Sequence, residues 1–201
     1  MIKNKVELEL TTACNALCPG CRRTSMDKVI LNSLTIGDIE QYFEGIDINL
    51  VKMCGVLGDP IANKDLYEII EYFTLKGSKT EISTNGGLKT KKFWSNLGTL
   101  SKLSGGDVTV HFAIDGLHTN DYRVGVDLKK VWNNVNAYLD AGGSAIWQFI
   151  IFDYNKHEID NAKLLADEKG MSFILRDNWK NYSSEIEISN IKQQSKFKDY
   201  E

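Results

Sequence analysis

Cys14-Asn15-Ala16-Leu17-Cys18-Pro19-Gly20-Cys21 follows at once on the alternating run Val6-Glu7-Leu8-Glu9-Leu10-Thr11-Thr12, so a strand is expected to deliver three thiols into one short loop. These are three of the chain's four cysteines. Such tight spacing, with no apolar leader ahead of the strand, points to a metal centre rather than to disulfides. Thiolates are soft ligands that suit iron–sulfur clusters or zinc. Pro19 and Gly20 disfavour a helix, so the thiols should converge through a folded loop. Three thiolates are one short of a closed tetrahedral zinc site or an ordinary four-cysteine cluster, which leaves a position open. A zinc site completed by a histidine or by Cys54 is the other reading of the same spacing.

Beyond this loop the chain alternates. Thr35 and Asp38 form a capping-box pair for a helix whose apolar face carries Ile36, Ile39, Tyr42 and Phe43. Residues 50–54 read as a second strand running into Gly55-Val56-Leu57-Gly58-Asp59-Pro60, followed by a helix capped by Asn63 and stopped by Gly77. Strand 80–84 ends in Asn85-Gly86-Gly87 and leads to a helix bearing Phe93, Trp94, Leu97, Leu100 and Leu103. Strands at 107–114, 145–152 and 171–176 alternate with helices at 128–141 and 158–169. This order predicts right-handed βαβ units around a parallel sheet. Six strands are too few for a complete eight-stranded barrel, and periodicity alone fits both an open doubly wound sheet and a partial barrel.

The cysteine pattern, Cys14, Cys18 and Cys21 at the end of a first strand, resembles the signature of the radical S-adenosylmethionine (SAM) superfamily. The resemblance implies a partial (βα)6, three-quarter TIM-type barrel with parallel strands over residues 1–176, and a short polar tail over 177–201. It also implies a [4Fe–4S] cluster on the three cysteines whose fourth iron is chelated by SAM, and reductive cleavage of SAM to methionine and a 5′-deoxyadenosyl radical. The Gly58-Asp59-Pro60 turn resembles the family's Gly-Glu-Pro loop, with Asp59 in place of the usual Glu, and would meet SAM's amino group. Ser83-Thr84-Asn85-Gly86 is similar to a Thr-Asn-Gly motif whose polar groups lie near SAM. Ala113-Ile114-Asp115-Gly116 resembles the family's Ser-Ile-Asp but lacks the hydroxyl. Arg123 matches a recurrent Arg-x-Gly and would pair with SAM's carboxylate. Gln148, on the fifth strand, joins Gly58, Asp59, Ser83, Asn85, Asp115 and Arg123 as a candidate cofactor contact. The same likeness implies a peptide or small-molecule substrate, with the peptide favoured, and an external one-electron reductant of the flavodoxin or ferredoxin kind.

Composition narrows the partners. The net charge is −3 and the basic residues are scattered except for Lys89-Thr90-Lys91-Lys92, which reads as a solvated helix start, so nucleic acid is not expected. No apolar run approaches a membrane span. A cytoplasmic setting would suit an oxygen-sensitive cluster. Cys54 is expected to pack as a small hydrophobe.

Overall fold

A computed structural model describes residues 4–177. Six strands alternate with five helices: β1 (Lys5–Leu8), α1 (Ile36–Tyr42), β2 (Leu50–Met53), α2 (Leu66–Leu75), β3 (Lys79–Thr84), α3 (Lys91–Leu103), β4 (Val108–Ala113), α4 (Leu128–Asp140), β5 (Ser144–Ile150), α5 (Ile159–Glu168) and β6 (Ser172–Arg176). The expected tail lies outside the described residues, apart from Asp177.

All neighbouring strands pair in parallel, and the sheet runs in chain order from β1 to β6. That order decides between the two architectures. A doubly wound sheet reverses direction and places helices on both faces, whereas same-handed crossovers between successive neighbours put every helix on one face. Burial agrees. Val51, Met53, Ile82, Val110, Phe112, Trp147 and Phe149 form the helix-covered face and are fully buried. The alternate residues Lys52, Glu81, Ser83, His111, Ala113 and Gln148 stay exposed or half-buried on the other. The fold is therefore a partial (βα)6 barrel whose sheet is not closed, with a polar inner face.

Local chemistry explains the boundaries. Thr35 and Asp38 exchange both capping-box bonds as their spacing predicts, and Thr90 caps α3 through the Phe93 N–H. Gly98 lets α3 cross α4 closely, since a Cβ there would stand 2.3 Å from the Tyr138 carbonyl oxygen. Trp94, Phe112 and Tyr138 interlock beneath that crossing, with ring centroids 5.2 to 6.2 Å apart. Trp147, fully buried, donates its indole N–H to the Ile114 carbonyl at 2.7 Å and so fixes the C-terminal end of β4, where the site begins. Among the described residues no helix is long and apolar enough to cross a membrane.

Three expectations are corrected. The first strand stops at Leu8 rather than at Thr12, because β2 ends beside it and the chain beyond bonds elsewhere: the carbonyl of buried Leu10 accepts the Leu34 N–H at 2.9 Å. Asn63 is not itself the N-cap of α2, a position that Asp65 takes: its Oδ1 accepts the Asp65 N–H at 2.8 Å in the turn that leads into the helix, and its buried amide also bonds the carbonyls of Leu10 and Leu34 at 2.9 and 2.8 Å, joining the two segments that flank the cysteine loop. Lys89 is no solvated lysine either: its ammonium donates to the Asn63 carbonyl at 2.7 Å.

Candidate active site

The cysteine loop sits at the C-terminal ends of the strands, and the loops after β2, β3 and β4 close on it. From β2, the Asp59 N–H donates to the Ala13 carbonyl at 2.8 Å. Gly58 presses so closely on the loop that a Cβ there would come 1.8 Å from the Thr11 carbonyl oxygen. Only glycine allows that approach. From β3, the Asn85 amide donates to Asn15 Oδ1 at 3.0 Å and lies 3.8 Å from Cys14 Sγ. After β4, the Leu17 N–H donates to the Val124 carbonyl at 2.8 Å, and Gly125 lies against the Asn15 carbonyl.

Cys14, Cys18 and Cys21 are free thiols, half-buried in this ring of loops. Cys14 Sγ accepts the Ala16 N–H at 3.3 Å, and Cys21 Sγ approaches the Val56 carbonyl at 3.8 Å. Burial, aided by the nearby Asp59 carboxylate, pushes the Cys14 thiol up to about 11, and burial pushes Cys18 up to about 12 against the pull of Arg123. Ligation would have to displace those protons. Among the described residues, no three Cys, His, Asp or Glu side chains are grouped so as to hold a single metal ion. A [4Fe–4S] cluster takes one thiolate per iron, so three free thiols spread along one loop, with N–H donors at the sulfur, fit such a group.

The remaining candidates fall into two sets. Gly58, Asp59, Asn85, Asp115 and Arg123 lie at the loop ring, but several are engaged in holding it. Asp59 is buried, and its carboxylate accepts the Ile61 N–H at 3.0 Å and the Asn85 N–H at 2.8 Å. Burial holds it above the usual carboxylate range. Asp115 is fully buried behind Arg123: Oδ1 accepts the Ile150 N–H at 2.9 Å and Oδ2 faces Arg123 Nε at 2.9 Å. This ion pair keeps the Arg123 guanidinium charged beside Cys18. Arg123 also lies 5.9 Å over the Tyr122 ring.

Ser83 and Gln148 instead belong to the inner face of the sheet. Gln148 Nε2 contacts His111 Nδ1 at 2.9 Å. His111 Nε2 lies 4.0 Å from Glu81 Oε2, which pairs with Lys52 Nζ at 3.3 Å. This polar strip went unread in the sequence, although the period-two rule places Glu81 and Ser83 on one face and His111 and Ala113 on another strand's matching face. Nor does the sequence announce the role of Glu9. Its carboxylate accepts the N–H groups of Leu57 and Gly58, the latter at 3.1 Å, and so anchors the glycine loop from the residue that follows β1. Cys54 does not pack as a hydrophobe: it is half-buried and donates to Glu7 Oε1 at 2.9 Å.

A sequence model of the radical SAM superfamily matches residues 8–166. Over 91 residues, 44% of this chain and 26% of the other, the sequence is 31% identical to an AdoMet-dependent heme synthase of Methanosarcina barkeri. SuiB of Streptococcus suis, solved bound to S-adenosylmethionine, superposes with a TM-score of 0.71 at 15% identity, over 87% of this chain and 40% of that one. SuiB has also been solved bound to the precursor peptide SuiA. The protein anSMEcpe with bound AdoMet superposes with a TM-score of 0.68 at 14% identity, over 97% of this chain and 57% of that one; it too has been solved with a bound peptide. The chain thus spans less than two thirds of the length of each of these proteins. The matched residues take in all three clustered cysteines and most of the barrel, and the chain belongs to the radical SAM superfamily.

Proposed function

We propose that Cys14, Cys18 and Cys21 hold a [4Fe–4S] cluster with one iron left for SAM, and that residues 1–176 form the catalytic core. The observation that carries this reading is the loop itself: three unbridged thiols, ringed by the loops that follow β2, β3 and β4. When bound, the cluster would supply an electron, taken from an external one-electron reductant, to split SAM into methionine and a 5′-deoxyadenosyl radical.

This chain's own residues orient and enclose. Arg123, paired with Asp115, would receive a carboxylate, for which a guanidinium fork is well shaped. The carbonyls and N–H groups around Gly58 and Asp59 meet the same end of SAM. An ionised carboxylate has about four acceptor positions, so the Asp59 side chain, which already meets the Ile61 and Asn85 N–H groups and the Thr84 hydroxyl, would have a position left for an ammonium donor. Asn85 holds the loop next to Cys14, and Ser83 and Gln148 face the substrate side.

The substrate enters from the inner face. Lys52, Glu81, His111 and Gln148 line it with charge and hydrogen-bonding groups, so the part of the substrate seated there is polar. A peptide is the favoured class, supported by the bound peptides of SuiB and anSMEcpe and by a sheet that, among the described residues, is not closed. The test is product analysis: protein reconstituted anaerobically and reduced with dithionite should convert SAM to 5′-deoxyadenosine. Protein that carries a full complement of iron and sulfide yet forms none would reduce the reading to a cluster-holding protein.

A further inference from the structure

Arg23 lies two residues past the last clustered cysteine, in a short turn over Arg22–Ser25, and is only 7% exposed. Its Nη1 donates to the Thr12 carbonyl and, at 3.3 Å, to the Leu57 carbonyl. It therefore bridges the start of the cysteine loop and the glycine loop. Arg123, the other guanidinium of the site, has Asp115 at 2.9 Å. Arg23 has no carboxylate within ion-pair distance among the described residues. Backbone carbonyls satisfy N–H donors but do not neutralise a unit charge, and a buried charge is costly unless an opposite charge stands near. Thr12 stands two residues before Cys14 and Arg23 two residues after Cys21, so the Arg23–Thr12 contact ties together the two ends of the loop that carries the three thiols.

We propose that Arg23 is the resident counter-charge of the cluster: a positioning residue that stabilises the anionic cluster and, above all, its reduced form. The inference rests on the cluster assignment above. Three thiolates on a [4Fe–4S]2+ core give a net charge of −1, and one electron from the external reductant makes it −2, with no bond formed or broken and no proton moved. A fixed positive charge nearby favours the second state over the first. The cluster is thereby easier to reduce than three thiolates in an uncharged pocket would make it.

Two substitutions separate charge from hydrogen bonding. Arg23→Lys keeps the charge and loses the fork, whereas Arg23→Gln keeps an N–H donor for a carbonyl and loses the charge. Iron and sulfide content, circular dichroism and a redox titration followed by electron paramagnetic resonance are measured for both. In Arg23→Gln the midpoint potential should move negative, so that at a fixed potential the ratio of reduced to oxidised cluster falls about tenfold, which is about 59 mV for a one-electron couple. Arg23→Lys should stay close to the wild type. Loss of the cluster from folded Arg23→Gln, with retention in Arg23→Lys, would support the same conclusion. An unchanged potential in Arg23→Gln, equal shifts in both variants, or loss of the cluster from both while folded would overturn it in favour of the guanidinium's shape. A wild-type protein that takes up no cluster would instead defeat the underlying assignment, and this inference with it.

Discussion

Asp59 joins two strand ends: its Oδ2 accepts the Asn85 N–H at 2.8 Å while its Oδ1 accepts the Ile61 N–H at 3.0 Å. The carboxylate is buried, and both of its oxygens serve as acceptors. Asp59→Ala would leave two donors unsatisfied, at a cost of roughly 1–3 kcal/mol each. Asp59→Asn would turn one acceptor into a donor facing a donor. Both variants should lower the urea midpoint, and the asparagine should rescue little. If Asp59→Ala unfolds at the wild-type midpoint but binds SAM weakly, the carboxylate belongs to the ligand and not to the scaffold.

Gly58 offers a sharper structural test. An added methyl group would collide with the Thr11 carbonyl, 1.8 Å away, and push on the cysteine loop. Gly58→Ala should cost about 1–3 kcal/mol, as overpacking does, and lower iron uptake on reconstitution. Gly37, inside α1, is the control. The nearest atom to a Cβ there is Thr35 Oγ1 at 3.7 Å, and its backbone angles are helical, so Gly37→Ala should raise stability by about 0.4–1 kcal/mol. Full iron uptake by Gly58→Ala would show that the contact between the two loops is dispensable.

His111 sets a pH dependence. Burial lowers its affinity for a proton; Glu81 opposes that shift, while Lys52 and Arg176 reinforce it. The unfolded chain therefore binds the proton first, and stability is lost as pH falls below the ordinary imidazole value of about 6.5. His111→Gln should remove that part of the acid sensitivity. Urea midpoints at pH 5 and at pH 7.5 check it: the wild type should lose more stability on acidification than the variant, and equal losses would refute the account.

The sequence carried the fold because three independent signals agreed. Strand and helix alternate in order, the capping box at Thr35 and Asp38 marks a helix start, and glycine-rich turns follow the strands. The cysteine loop was legible for the same reason, since its chemistry and spacing are local. What was not legible depends on partners far along the chain. Asn63 meets the Asp65 N–H at the entry to α2, as its spacing suggests, but its amide also bonds to Leu10 and Leu34. Cys54 looked like a core residue but is taken up by Glu7 across the strand pair. Asp115 is buried behind Arg123, a pairing that its motif does not announce. In each case tertiary hydrogen bonding decided the role, and no spacing rule reports it. The inner-face strip was available from strand alternation once register was known, because Ser83 stands opposite His111 and Ala113 opposite Gln148.

The central claim is that three cysteines hold a cluster with one iron open to SAM. Electron paramagnetic resonance of the anaerobically reduced protein, recorded before and after SAM is added, tests it most directly, with Cys54→Ala as the control because that thiol lies outside the loop. The account predicts a [4Fe–4S]+ signal whose g values shift on adding SAM, the same behaviour in Cys54→Ala, and loss of the signal when Cys14, Cys18 or Cys21 is replaced by alanine. A signal that SAM leaves unshifted, or one that vanishes in folded Cys54→Ala, would contradict it, for then the fourth iron would be closed by the protein itself.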